Sequence, residues 1–337
     1  MFDEDFSKEV YKNKSELPKR LRVEVSSLCQ LKCPVCYMRT DEENAKNGCG
    51  FGVLKFENFK KLVDENEIEN IEISNSGEIF LNPDLVKILE YADKKGIKLT
   101  ADNGVNLNYI SDEQAEALAK YHLVSMTVSI DGASRETYAK YRIGGDYDKV
   151  IENMKKIIYY RKKYNNGCPH ITWKFIVFGH NEHEIEQAKK EAEKLGVAIN
   201  FATNWDESYS PVKNVQKVLE QTGLESLTTN TSPVELLKQF QAGEADWFFC
   251  NDLWQPQINW DGQLLGCCAN YKKNFGGNVF EDGLMETLNN PRFVYAKNMV
   301  THNALPEKTL PCYDCEVYQD MAKHNVWFNS PRSENGK

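Results

Sequence analysis

The cysteines are the residues of this chain whose number and spacing point most directly to chemistry. The chain has 337 residues and ten cysteines, and eight of the ten fall into two groups, one near residue 30 and one after residue 250. Scattered buried thiols would not cluster in this way, so the clustering indicates metal or redox chemistry rather than structural disulfides. Cys49 and Cys168 stand alone and are interpreted as structural.

The first group has the spacing Cys29-x3-Cys33-x2-Cys36. Three thiolates on one loop can hold three irons of a [4Fe–4S] cluster, which leaves the fourth iron open to a small molecule. A zinc site is the alternative, but it needs a further ligand from elsewhere to complete its tetrahedron.

The second group places Cys250 before and Cys267 after a predicted hairpin, whose turn is Asp261-Gly262. Cys312-x2-Cys315 then adds two more thiolates. Four thiolates suffice to close one [4Fe–4S] cluster fully. A structural zinc site is again the alternative, since four cysteines also suit zinc.

The elements that must position these cysteines alternate between short apolar runs and amphipathic helices. The predicted strands are 21–26, 71–74, 97–101, 123–130, 171–178 and 197–201, and the clearest helices are 83–95, 111–121, 146–163 and 182–195. Gly96 and Gly196 are each predicted to end a helix just before a strand. This alternation predicts an α/β fold with a mostly parallel sheet, whose chemistry lies at the C-terminal ends of the strands.

The chain divides into five predicted parts. They are a lead-in (1–20), the α/β region (21–205), a helical linker (206–246), a small cluster-binding domain (247–320) and a tail (321–337). The small domain is too short to bury a sufficient core alone, so we expect its metal site to hold it together.

The first cysteine motif, followed by the aromatic Tyr37 and placed after the first strand, resembles the signature of the radical SAM superfamily. The resemblance implies a partial (β/α)6 TIM-like barrel in which S-adenosylmethionine (SAM) binds the open iron. It also implies reductive cleavage of SAM to a 5′-deoxyadenosyl radical, with the protein holding cofactor and substrate.

Further motifs follow the family's order along the chain. Ser76-Gly77-Glu78 stands where the family typically has Gly-Gly-Glu, and Glu78 is expected to pair with the SAM ammonium group. Asn103 lies in a segment like the family's Thr-Asn-Gly. Ser129 and Arg142 match residues that contact the SAM carboxylate, for which the planar fork of arginine is well suited.

The second cysteine group resembles the auxiliary-cluster region of this superfamily in its short form, called twitch, rather than the full SPASM form. Full SPASM regions carry seven cysteines, and five are present here, which implies one auxiliary cluster with Cys250, Cys267, Cys312 and Cys315 as ligands.

Cys268 directly follows Cys267, and neighbouring strand residues point to opposite sides. The Gly-x4-Cys spacing favours Cys267 as the ligand and leaves Cys268 as a thiol at the active-site mouth, able to donate a hydrogen atom to a substrate radical. Two alternatives stay open: the pair is reversed, or Cys268 is a small buried side chain.

The predicted function is hydrogen abstraction from a sugar or aminocyclitol-like small molecule, for dehydrogenation or epimerisation. An electron donor such as flavodoxin or ferredoxin is expected. One alternative is a maturase of a ribosomally made peptide, which the short segment before the first strand disfavours. The other is a non-catalytic zinc-binding interaction module.

Composition excludes several classes of partner. The net charge is −9, and the basic residues are interleaved with acidic ones, which disfavours nucleic acid. The sequence has no long apolar run and no secretory signal, so we expect a cytoplasmic protein without a membrane partner.

Overall fold

The computed structural model describes residues 15–227, 231–268 and 270–329. Its strands are β1 (Arg20–Val23), β2 (Asn70–Glu72), β3 (Lys98–Val105), β4 (Ser125–Ser129), β5 (His170–Val177), β6 (Ala198–Thr203), β7 (Gln257–Ile258) and β8 (Leu264–Gly266). Within the described residues they form one sheet in the order β6-β5-β4-β3-β2-β1-β7-β8.

The six strands predicted from the sequence are β1 to β6, and each runs parallel to its neighbour. The α/β fold with a parallel sheet is therefore confirmed. β7 adds to the free side of β1, also in parallel, with Arg22 opposite Gln257. β8 pairs with β7 in the antiparallel sense, as the predicted hairpin requires.

Helices connect the strands and form the C-terminal part. They are α1 (Tyr37–Thr40), α2 (Glu42–Asn47), α3 (Phe56–Asp64), α4 (Leu85–Lys95), α5 (Asp112–Lys120), α6 (Arg135–Tyr141), α7 (Tyr147–Tyr164), α8 (Ile185–Leu195), α9 (Val215–Thr222), α10 (Pro233–Ala242), α11 (Val279–Asp282), α12 (Leu284–Leu288), α13 (Pro291–Val300) and α14 (Glu316–His324). Short 3-10 helices span Ile79–Leu81, Glu182–Glu184 and Phe249–Trp254.

Local signals fix where the main helices begin and end. The Ser111 side chain accepts from the backbone N–H of Gln114, whose side chain bonds back to Ser111, so α5 starts with a complete capping box. Gly96 and Gly196 end α4 and α8 in the left-handed conformation, with φ of 72° and 70°. The predicted succession of helix, glycine and strand is thus confirmed at both junctions.

The two faces of the parallel sheet differ in polarity. Leu21 and Val23 of β1 are fully buried against the helices, whereas Arg22 between them points to the opposite side. The register places Arg22 beside Glu72, and Glu72 beside Thr100. A parallel sheet buried in apolar surroundings on both faces would have continuous apolar strands. We call this second side the polar face; it carries Arg22, Glu24, Glu72, Thr100, Ser125, Thr127, Ser129, Thr172 and Lys174.

The C-terminal part departs from the predicted boundaries. Its hairpin belongs to the same sheet as β1 to β6, since β7 pairs with β1. α14 runs past residue 320, and Phe328 is fully buried, so this part extends at least to residue 328. The predicted linker contains α9 and α10. Of the predicted lead-in the structure describes residues 15–20, and of the predicted tail residues 321–329. Among the described helices, none is both long and apolar enough to span a bilayer.

Candidate functional site

The loop with Cys29, Cys33 and Cys36 connects β1 to α1, at the C-terminal edge of the sheet. The backbone N–H of Cys36 donates to the carbonyl oxygen of Cys33 at 3.2 Å and closes a turn. Burial, together with the charges of Glu78, Cys33 and Cys36, raises the pKa of the Cys29 thiol to about 11. The fold thus brings the three predicted ligands together.

Arg142 reaches this loop from the end of α6. Its Nη1 donates to the Sγ of Cys33 at 3.6 Å, and its Nε donates to the Asp131 carboxylate at 2.6 Å. Asp131 is fully buried and also accepts from the backbone N–H of Ile176 at 2.7 Å. Although burial opposes the charge, Asp131 and Cys33 hold the pKa of Arg142 above its usual range. A fixed cation therefore lies beside the thiol loop, where it can offset negative charge.

Glu78 follows β2 and is fully buried. Its Oε2 accepts from the backbone N–H groups of Asn106 and Leu107 at 2.6 and 3.2 Å. Burial raises its pKa to about 7. The carboxylate therefore ties the loop after β2 to the loop after β3. Its predicted pairing with the SAM ammonium stays a prediction; Oε1, which accepts from the backbone N–H of Phe80 at 3.4 Å, has acceptor capacity left for it.

Glu72, the last residue of β2, also connects neighbouring strands and loops through its carboxylate, on the polar face. Its carboxylate accepts from the Thr100 hydroxyl at 2.6 Å, the Ser74 hydroxyl at 2.6 Å and the backbone N–H of Asp102 at 2.9 Å. Because buried carboxylates saturated by such donors resist displacement, the loops at this edge have fixed positions.

Tyr37 and Ser76 are in direct contact. The Tyr37 hydroxyl donates to the Ser76 Oγ at 2.8 Å, and the Tyr37 ring packs on Tyr271 with centroids 4.3 Å apart. Gly77 passes against the chain before Cys29, where a Cβ would collide with the carbonyl oxygen of Ser26. The close approach explains why glycine is needed at position 77, while position 76 accommodates serine.

Ser129 and Asn103 lie at the ends of β4 and β3. Ser129 is 8 % exposed, and a Cβ on Gly104 would come within 2.6 Å of its Oγ. Asn103 is exposed, and its amide donates to Asn75 Oδ1 at 3.0 Å. Both predicted residues therefore lie at the same edge as the thiol loop.

Glu24 was not singled out by sequence motifs, yet it lies behind the predicted SAM residues on the polar face. It is fully buried, and neither carboxylate oxygen has a hydrogen-bond partner of good geometry. Burial raises its pKa to about 8, although the nearby Ser76 hydroxyl and backbone N–H groups oppose this shift. The Ser26 hydroxyl is also buried without a partner. Unsatisfied polar atoms at this place suit a polar ligand.

The second cysteine group also assembles. Cys250 is fully desolvated, and its pKa is raised by burial and by the charges of Cys312, Cys267 and Cys315. Cys312 is 8 % exposed, and Cys315 immediately precedes α14. The four predicted ligands therefore lie close enough for Cys267, Cys312 and Cys315 to act on Cys250, although Cys250 and Cys315 are 65 positions apart.

Cys268 belongs to different surroundings. Its backbone N–H donates to Asp252 Oδ2 at 3.3 Å, and Asp252 Oδ1 lies 3.6 Å from Arg22 Nη2. Burial and the Asp252 carboxylate hold the pKa of the Cys268 thiol well above its usual range. Within the pair, Cys268 thus contacts Asp252 through its backbone, whereas Cys267 lies close enough to Cys250 for their charges to interact.

Sequence reasoning missed Asp131, Asp252, Arg22, Glu24 and Glu72. One signal could have found three of them. Strict alternation of polar and apolar residues in a predicted parallel strand, as in Arg22 and Glu24, marks a face that does not pack on helices. No comparable local signal marks Asp131 or Asp252, whose partners come from other segments.

The donor sets fit iron–sulfur clusters. Three thiols on one loop leave one iron position for an outside ligand, and four thiols elsewhere allow full ligation. Arg142 supplies the compensating cation at the first set. The unsatisfied Glu24 and Ser26 side chains lie next to the Ser76-Gly77 segment, where a polar cosubstrate is expected.

Comparison with known families agrees with this arrangement. The model of the radical SAM superfamily matches residues 23–192. The SPASM model, described as an iron–sulfur cluster-binding domain, matches residues 250–316, which include all five C-terminal cysteines.

Three individual proteins that this chain resembles share 25 % or less of their sequence with it. The subtilosin (antilisterial bacteriocin) biosynthesis protein AlbA of Bacillus subtilis is 25 % identical over 83 % of this chain, which spans 61 % of the length of AlbA. A cofactor-modifying protein of the tungsten-containing aldehyde ferredoxin oxidoreductase of Pyrococcus furiosus is 23 % identical, with 93 % of both chains covered. The solved structure of anSMEcpe with bound AdoMet and a peptide has a TM-score of 0.57 at 17 % identity, covering 89 % of this chain and 87 % of that one.

The family matches replace the zinc-binding alternative, because both describe iron–sulfur proteins. They imply SAM as cosubstrate, a cluster that binds it, and auxiliary iron–sulfur ligation. The thiol loop after β1 and the second group of thiols agree with these matches. The chain therefore belongs to the radical SAM superfamily and is a radical SAM enzyme with a C-terminal SPASM cluster domain.

Proposed function

We propose that this enzyme abstracts a hydrogen atom from a peptide and acts as a peptide-modifying maturase. The similarity to AlbA supports this substrate class, because that relative is named for the biosynthesis of a bacteriocin. The fold shared with anSMEcpe, whose structure holds a peptide, supports it further. The small-molecule substrate favoured by sequence analysis becomes the second candidate.

One observation carries the proposal that a substrate reacts between the two thiol sets. β1 ends in the loop with Cys29, Cys33 and Cys36, and β1 also pairs with β7, whose partner β8 leads directly to Cys267 and Cys268. The two sets are therefore joined through one pair of neighbouring strands. The polar face of β1 lies between them.

Each residue group has an expected task. Cys29, Cys33 and Cys36 would hold the SAM-binding cluster, and Cys250, Cys267, Cys312 and Cys315 one auxiliary cluster. When bound, the first cluster and SAM supply the hydrogen-abstracting radical. Arg142 would bind the SAM carboxylate with its fork, and Ser129 would add a hydroxyl donor. The remaining SAM contacts would come from Tyr37, Ser76, Gly77, Glu78 and Asn103.

Cys268 would serve as hydrogen donor where the product keeps a hydrogen at the reacting carbon. Its S–H bond breaks as the new C–H bond forms, which leaves a sulfur radical. One electron from a low-potential donor, such as flavodoxin or ferredoxin, and one proton from water then restore the thiol. If the product is instead dehydrogenated, the substrate radical loses an electron and a proton, and this donor is not needed.

The second candidate is a sugar or aminocyclitol-like substrate, dehydrogenated or epimerised. The polar face favours it, because it offers ionic and hydroxyl groups such as Lys174 and Thr172 to a polar ligand. The relative of P. furiosus, which is named for modifying a cofactor, is similar over nearly its whole length.

Stimulation of SAM cleavage separates the candidates. The reconstituted enzyme is incubated with SAM, dithionite and extract of the organism that encodes it, and 5′-deoxyadenosine is measured. If a peptide is the substrate, the stimulating activity disappears after proteinase K treatment of the extract. Stimulation that survives the protease and passes a small-molecule filter would instead support the second candidate and contradict the first.

A further inference from the structure

Cys267 and Cys268 are adjacent in sequence but are held by different groups. Cys267 belongs with Cys250, Cys312 and Cys315, whose charges act on one another. Cys268 instead lies against Asp252, with Arg22 close behind. A strand end sends neighbouring side chains to opposite sides, which permits this division but does not say which thiol goes where.

Asp252 contacts both Cys268 and Arg22. Its side chain is 4 % exposed, and its two oxygens have separate partners. Oδ2 accepts from the backbone N–H of Cys268 at 3.3 Å. Oδ1 faces the Arg22 guanidinium at 3.6 Å. Asp252 therefore links the second cysteine of the pair to β1.

Arg22 is the residue through which Asp252 is linked to the sheet. It lies on the polar face of β1, in register with Glu72 on one side and Gln257 on the other. Its side chain is 16 % exposed. Because a buried carboxylate without its cation is strongly disfavoured, Asp252 cannot turn away from Arg22 without leaving a charge unpaired. The Cys268 backbone is therefore tied through Asp252 to Arg22 on β1.

We propose that Arg22 and Asp252 are a positioning pair that keeps the Cys268 thiol out of the auxiliary cluster and turned toward the polar face of the sheet. Arg22 orients Asp252, and Asp252 orients Cys268, so the pair decides which of two adjacent thiols remains unligated. The inference rests on the proposed function in one respect only, which is the identity of the substrate that the Cys268 thiol would contact at the polar face. Its geometry concerns residues of this chain alone.

The test measures thiol accessibility and iron content in the full-length protein reconstituted anaerobically. Iodoacetamide is added without substrate, and tandem mass spectrometry scores alkylation at positions 267 and 268 separately. In the unmodified protein we expect Cys267 to be protected and Cys268 to react slowly. Asp252→Asn, which keeps the shape but loses the charge, should raise the Cys268 rate by about tenfold, because reactivity follows access once the thiol is released. Iron content should be unchanged.

Two further variants separate positioning from general damage. Arg22→Met should raise the rate of Cys268 alkylation as much as Asp252→Asn does. Arg22→Lys keeps the cation and should therefore keep the slow rate of the unmodified protein. Asp148→Asn is the matched control, since this exposed carboxylate pairs with Arg135 at 2.5 Å and should leave both rates unchanged.

Three outcomes would overturn the proposal. They are alkylation of Cys267 with protection of Cys268, an unchanged Cys268 rate in both Asp252→Asn and Arg22→Met, and loss of about four irons in Asp252→Asn, which would make Asp252 a support of the cluster itself. Because these measurements need no substrate, failure of the peptide-maturase proposal leaves them unaffected.

Discussion

The Arg142 guanidinium lies 3.6 Å from the Cys33 thiol, although the two residues are 109 positions apart in sequence. Asp131 holds it there, and Asp131 is itself fixed by the backbone of β5. Arg142 therefore has two expected tasks at one position: it offsets the negative charge of the cluster loop and offers a fork to the SAM carboxylate.

Replacing Arg142 by lysine tests the second task. Arg142→Lys keeps the charge but loses the fork, so SAM binding should weaken by roughly 1–3 kcal/mol, the scale of a charged hydrogen bond. Isothermal titration of SAM into the reconstituted protein measures this change. Arg161→Lys on α7 is the control, since Arg161 donates to the Pro169 carbonyl, away from the site. Equal SAM affinity in Arg142→Lys and the unmodified protein would refute the assignment.

Replacing Cys29, Cys33 and Cys36 together by alanine should remove about four irons and abolish 5′-deoxyadenosine formation, because the SAM-binding cluster loses all its protein ligands. The auxiliary cluster should survive. Iron analysis and chromatography of the reaction products check both parts. Cys168→Ala, a lone cysteine before β5, should keep all the iron. Undiminished SAM cleavage in the triple variant would show that these thiols do not carry the reaction.

Cys312→Ala removes one ligand of the proposed auxiliary cluster. We expect loss of about four irons and a lower unfolding temperature, because metal binding provides part of the folding free energy of such a site. Cys268→Ser should keep all the iron. The reverse result, with iron lost from Cys268→Ser and retained in Cys267→Ser, would mean that Cys268 is the ligand.

Glu24→Gln should make stability less dependent on pH. The folded-state pKa of Glu24 is about 8, well above that of an exposed glutamate, because burial disfavours the carboxylate. Wild-type stability is therefore lost as pH rises from about 4.5 to about 8, where the unfolded chain releases the proton and the folded chain keeps it. At pH 8 the glutamine variant should be more stable by up to roughly 4 kcal/mol, and at pH 4.5 by little.

Urea unfolding of the cluster-free protein at both pH values measures this difference. Glu57→Gln, which removes an exposed carboxylate from α3, serves as control. A Glu24→Gln advantage that is equal at both pH values would show that the carboxyl does not titrate in this window.

Local patterns were sufficient to predict the parallel strands and the helix ends at Gly96 and Gly196, because periodicity and left-handed glycine stops depend on neighbouring residues only. The same holds for the thiol loop, whose ligands lie within eight residues of one another. The substrate class was not accessible in this way. The residues at the polar face bind many kinds of ligand, and the comparisons favour the peptide that sequence analysis placed second.

The sequence by itself indicated the reaction class, because the Cys29-x3-Cys33-x2-Cys36 loop can hold three irons of a cluster and, with the motifs that follow it, resembles the radical SAM superfamily. Only the tertiary structure decided that the Glu78 carboxylate accepts hydrogen bonds from the backbone of Asn106 and Leu107, and that β7 pairs with β1 in one sheet. It alone paired Asp252 with Arg22 and placed the Cys268 backbone against Asp252. These features depend on contacts between segments that lie from 28 to more than 200 residues apart, and no short-range pattern encodes such contacts.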